Sequence, residues 1–200
     1  MHRTCEELPQ THTSRYRFMK ITATEFQGLL IVEPRIFSDD RGYFYEVFNR
    51  DRFAENGITF DPVQDNESLS SKGVVRGLHY QLNPAAQAKL ITVIRGTIYD
   101  VAADLRRGSS TFGKWFGITL DHKEKRQMYI PRGFAHGFSV LSDYAIIRYK
   151  CDNYYEPSLE RSIDPFDSHM GIDWGIERGM ATISDKDRVG IPFSEAEMNF

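Results

Sequence analysis

Cysteine is scarce in this chain: Cys5 and Cys151 are its only two among 200 residues. They lie far apart, which excludes a disulfide framework and a closely spaced thiolate metal site. Reduced thiols and a cytoplasmic location are the expectation. No apolar run approaches the roughly 18 residues of a membrane helix, so no membrane partner is expected. Residues 1–18 are polar and lack the apolar stretch of a secretory signal. Excess charge is also missing. The net charge is −3 with both signs interspersed, which argues against a nucleic-acid partner and leaves a small anionic ligand open. Internal repeats, low-complexity tracts and Gly-rich phosphate loops are absent from the sequence.

What is present is a chain with 40% hydrophobic and 26% charged residues, enough apolar material for a sizeable core and too balanced for disorder. Residues 19–200 are read as one domain and residues 1–18 as a loose N-terminal extension; Met19 fits a natural start, which leaves the leader either a gene-start artefact or a loose arm. Short β-branched and aromatic runs predict strands over 28–34, 43–49, 63–69, 74–81, 89–95, 97–104, 115–120, 127–130, 136–140 and 145–151. A short helix is predicted over 50–56, stopped by Gly57. Turn signals such as Asn83-Pro84, Arg95-Gly96 and Pro131-Arg132-Gly133 separate many of the strands. The fold class is therefore all-β, a sandwich or barrel, with an irregular tail after Asp152 wrapped against it.

Several polar residues fall on apolar strand faces, where i and i+2 point the same way. Glu46 shares a face with Phe44 and Phe48, Lys89 with Ile91 and Val93, and Tyr149 with Ile147 and Cys151. A charge aimed into a barrel is costly unless it is paired or lines a cavity. Each of these charges alone fits a solvent-facing strand end equally well; together they point to a polar pocket. His79 follows Arg76 by three residues, which an ideal strand would send to opposite faces. Gly77 between them permits a bulge that re-aims one of them. Pro131-Arg132-Gly133-Phe134-Ala135-His136 resembles a cupin motif whose histidine reaches the barrel mouth. His79 and His136 are too few ligands for a stable divalent site, so no metal is expected. His2, His12, His122 and His169 read as surface or loop residues.

At larger scale the chain resembles the dTDP-4-dehydrorhamnose 3,5-epimerase family. The matching stretches are Phe37 to Gly42, Gln64-Asp65-Asn66, Val75 to Gln81, Lys89-Leu90, Tyr99 to Arg106, Ser110 to Gly113, Ile130 to Phe138, Tyr149-Lys150, Asn153 to Tyr155, Gly171 to Trp174 and Ser184 to Asp187. They occur in order from about Gly28 to about Asp187. The resemblance implies a cupin-type jelly roll, a homodimer that shares strands across its interface, a dTDP-sugar substrate and no cofactor.

It also implies roles. The reaction inverts C3 and C5, which flank a C4 ketone. It requires a base, an acid on the opposite face and stabilisation of the enolate between them. His79 matches the base, with Asp187 as its partner carboxylate. Lys89 matches the charge at the C4 oxygen, and Tyr149 the acid. Phe37, Arg41, Glu46, Gln64, Asp65, Asn66, Arg76, His136, Tyr155, Glu160 and Lys186 match substrate-binding positions, with the cations serving the diphosphate and Phe37 and a tyrosine stacking on thymine. The segment Ser162 to Phe166 departs from the family, which more often has a tryptophan there. The chief alternative is an epimerase acting at C3 or C5 only. A sugar-nucleotide 3,4-ketoisomerase, a non-catalytic sugar-nucleotide-binding cupin and a metal-dependent oxygenase follow at increasing distance.

Overall fold

The computed structural model describes residues 18–200. The proposed extension, with Cys5, His2 and His12, lies almost wholly outside the described residues. In chain order the elements are β1 (Met19–Ala23), β2 (Leu30–Pro34), β3 (Phe37–Asp39), β4 (Gly42–Phe44), α1 (Arg50–Glu55), β5 (Gln64–Ser71) and β6 (Val75–Gln81). They continue with β7 (Lys89–Arg95), β8 (Thr97–Asp104), β9 (Trp115–Asp121), β10 (Gln127–Ile130), β11 (Phe134–Val140), β12 (Tyr144–Cys151), β13 (Glu160–Ser162) and α2 (Asp185–Arg188).

Two antiparallel sheets face each other. One has six strands in the order β1-β2-β10-β7-β12-β5 and the other has five, β13-β6-β11-β8-β9. Apart from β1-β2 and β8-β9, neighbouring strands are not consecutive in the chain, which makes this a jelly roll, not a meander. The inward faces meet in a core of Ile91, Val93, Ile98, Ala102, Phe134, Phe138 and Ile147. The outer face of the six-stranded sheet is covered by α1 and the following loop through Phe53, Ile58 and Phe60. The tail covers the outer face of the five-stranded sheet. Ile163, Met170, Ile172, Trp174 and Phe193 pack there on Val75, Leu78 and Val101, so the irregular tail is part of the core.

One predicted strand differs. Of residues 43–49 only the first two extend, as the end of β4, whose sole partner is β3. Beyond Phe44 the chain serves α1 instead. Asn49 caps the helix by accepting from the Arg52 amide, and Phe48 packs edge-on against Phe53 and Phe60. A strand without a second neighbour gains little, whereas a capped helix with an aromatic anchor gains both a hydrogen bond and burial.

Candidate active site

A cavity of about 370 Å³ opens between the two sheets. From the five-stranded sheet it receives Arg76, His79, Gln81 and His136. From the six-stranded sheet come Gln64, Asn66, Ser68, Lys89, Ile147 and Tyr149. Tyr155, Glu160 and Lys186 stand around it as well.

The β6 bulge decides whether this site exists. On β11, His136 and Phe138 are two residues apart; their partners on β6, His79 and Arg76, are three apart. One extra residue therefore sits on β6. Val75 and Leu78 both pack outward, while Arg76 and His79 both line the cavity. Gly77 is required here. Its φ is +119°, and a Cβ would lie 2.6 Å from Gly137 Cα and 2.7 Å from the His136 carbonyl oxygen, closer than any side chain can approach.

His79 Nε2 hydrogen-bonds Asp187 Oδ1 at 2.5 Å. Asp187 is 2% exposed and sits on α2, where its own amide donates to the Ser184 hydroxyl. Burial would raise the Asp187 carboxyl, but the His79 bond and charge outweigh it and hold the group below its usual value. An ionised carboxylate at Nε2 orients the ring and leaves Nδ1 as the working nitrogen.

Lys89 is partly buried and lines the cavity. Desolvation lowers its pKa, opposed by Cys151, Glu160 and Asp100. Burial raises the Tyr149 phenol, so it is protonated at neutral pH, as an acid must be. Glu160 ties two neighbours together: it accepts from the Tyr155 hydroxyl at 2.5 Å and pairs with Lys186 Nζ at 2.5 Å. The Glu160 contact pushes Tyr155 up to about 12.

The structure thus brings His79, Lys89, Tyr149, Asp187, Gln64, Asn66, Arg76, His136, Tyr155, Glu160 and Lys186 to one place. Asp65 is not among them. It alternates to the outer face of β5, is exposed, and pairs with Lys150 at 2.9 Å. Phe37, Arg41 and Glu46 also lie apart from the cavity. Phe37 and Arg41 sit on the β3–β4 hairpin, where Arg41 pairs with Asp39; Glu46 holds Arg52 at 3.0 Å and Asn49 at 3.2 Å. Ser68 is a lining residue that the sequence reading passed over; it continues the Gln64, Asn66 alternation by one step, and its buried hydroxyl has no partner. Among the described residues no three His, Cys, Asp or Glu side chains gather as metal ligands.

The family model described as dTDP-4-dehydrorhamnose 3,5-epimerase matches residues 23–195. A dTDP-4-dehydrorhamnose 3,5-epimerase of Shigella flexneri is 48% identical over 180 residues, covering 90% of this chain and 98% of that one. The crystal structure of a Legionella pneumophila dTDP-6-deoxy-D-glucose-3,5-epimerase, in complex with dTDP-4-keto-L-rhamnose, superposes with a TM-score of 0.85. It is 47% identical and the match covers 90% of this chain and 95% of that chain. A 3'-monoepimerase from Streptomyces bikiniensis, in complex with dTDP-quinovose, has a TM-score of 0.80 and 34% identity, over 86% of each chain.

Proposed function

The chain belongs to the dTDP-4-dehydrorhamnose 3,5-epimerase family, and from that membership we propose how its cavity carries the reaction. The substrate is dTDP-4-dehydro-6-deoxy-D-glucose and the product dTDP-4-dehydro-L-rhamnose. His79 Nδ1 takes the proton from the carbon next to the ketone while Asp187 holds Nε2. The electron pair moves to the C4 oxygen, where the Lys89 ammonium stabilises the enolate. Tyr149 returns a proton to the opposite face; His79 then gives its proton to water and Tyr149 regains one from water, and the cycle repeats at the second carbon.

The observation that carries this reading is placement. His79 comes from the five-stranded sheet and Tyr149 from the six-stranded one, and both line one cavity. Inversion needs proton donor and acceptor on opposite faces of the ring, and two facing sheets supply opposite faces. Arg76, His136 and Lys186, with Gln64, Asn66, Tyr155 and Glu160, hold the nucleotide diphosphate and sugar. The enolate is stabilised by a lysine, so the reading needs no metal or organic cofactor; dialysis against a chelator leaves the rate unchanged. The higher identity to the 3,5-epimerases than to the 3'-monoepimerase favours inversion at both carbons.

Phe37, Arg41 and Glu46 belong to this reading through a homodimer in the cytoplasm. Their segment exposes Phe37, Tyr43 and Phe44 at 38%, 60% and 67%, an apolar surface suited to a second copy. In the dimer it delivers its binding residues to the partner's cavity. Mixing inactive Arg41→Ala and His79→Ala proteins then regenerates activity, because one hybrid site is intact; a mixture that stays inactive removes this arrangement. The reaction itself is tested in D2O. Deuterium at both C3 and C5 with the L-rhamno configuration is the expected product. Deuterium and inversion at one carbon mark a monoepimerase, and no exchange ends the epimerase reading.

A further inference from the structure

The proposed chemistry leaves one buried ionisable group of the site unused. Asp100 lies on the inward face of β8 between Ile98 and Ala102 and has no exposed surface. Its Oδ1 accepts from His136 Nε2 at 2.7 Å. Its Oδ2 has no partner. Leaving a buried carboxylate oxygen unpaired is costly, so a purely structural aspartate would be expected to satisfy both oxygens. His136 lines the cavity directly above and is 8% exposed; the Asp100 bond is its one side-chain hydrogen bond among the described residues.

The second observation is what Asp100 lacks: among the described residues no lysine or arginine pairs with it, and His136 is its one side-chain partner.

We infer that Asp100 is a positioning residue of the active site: it holds His136 by Nε2 so that Nδ1 faces the substrate. This rests on the epimerase reading above. The acceptor on Nε2 fixes one tautomer of His136 and prevents a ring flip.

Asp100→Asn preserves shape and one acceptor oxygen but removes the charge. Its KM should rise about 10-fold, the equivalent of one misplaced hydrogen bond to the ligand, with kcat changing much less, because His136 is a binding residue of the proposed site. A variant with wild-type KM overturns the inference. A measurement on the wild type does not depend on the variant folding: 15N-histidine NMR should show neutral His136 as the Nε2–H tautomer, and an Nδ1–H tautomer overturns the assignment. Wild-type protein without epimerase activity fails the reading of function; active wild type with an unaffected variant fails this inference alone.

Discussion

Strand β8 carries two aspartates with opposite surroundings. Asp100 and Asp104 are four residues apart, share the inward face and are both fully buried. Asp104 lies at the end of its strand, where a tight loop folds back on it. It accepts from Arg106 Nε and Nη2, each at 2.8 Å, from the Arg106 amide at 3.0 Å, and from the Ser109 and Thr111 hydroxyls at 2.6 Å. Burial opposes ionisation, yet the Arg106, Ser109 and Thr111 bonds lower its pKa to about 2. Asp100 has one histidine and an unpaired oxygen; burial there wins over His136 and Lys89, and its pKa is raised. The same residue type on the same strand is thus a locked clamp at one end and an unsatisfied charge at the other. Hydrogen-bond donors, not burial, separate a structural carboxylate from one held for chemistry.

Substitutions at the two ends should therefore separate activity from stability. The largest effect belongs to the cavity: His79→Ala should lower the rate on the order of 10⁴-fold while dTDP binding by calorimetry stays near wild type. A fully active His79→Ala protein would remove the base. Tyr149→Phe should cost on the order of 10²–10³-fold in inversion, yet deuterium should still wash into the recovered substrate, because abstraction by His79 survives.

At the other end, Asp104→Ala should lose about 3 kcal/mol in denaturant unfolding, the cost of breaking a buried pair, with kcat unchanged. The pH dependence has a definite sign. The folded pKa lies below the ordinary 3.8, so this carboxylate adds roughly 2 kcal/mol of stability above pH 4. That contribution is lost as pH falls through 2, and Asp104→Ala should flatten the acid limb of stability between those values. Gly77→Ala links the two ends. Its Cβ would meet Gly137, so a loss of roughly 1–3 kcal/mol is expected, with a fall in activity as the bulge shifts His79 and Arg76. Arg148→Ala breaks an ion pair with Glu67 in which both side chains are about half exposed. It should change stability by less than about 0.5 kcal/mol, and a larger loss would show that surface pairs matter more here than the clamp comparison implies.

Legibility followed how local the cause was. The strands β7, β8 and β10 match their predicted limits because each is a short apolar run bounded by turn residues. Strands β1, β3 and β13 were not predicted; they are three to five residues long and exist because a neighbour pairs with them, as Glu160 to Ser162 do with β6. The face rule placed Lys89 and Tyr149 at the cavity correctly. The same rule applied to Ile98, Asp100 and Ala102 would have marked Asp100, and applied one step along β5 it would have marked Ser68. For Glu46 the rule failed, since the strand it assumed stops at Phe44.

From sequence alone came the all-β class, the turn positions, the family resemblance and the chemical types at the site. These depend on residue periodicity and on glycine and proline stereochemistry, which act over a few neighbours. The tertiary structure alone decided that β6 carries its extra residue at Gly77, that the distant tail brings Asp187 to within 2.5 Å of His79, and that Asp100 and Asp104 have different partners. Hydrogen bonds act over about 3 Å, and only the folded chain determines which residues, however far apart in sequence, come that close.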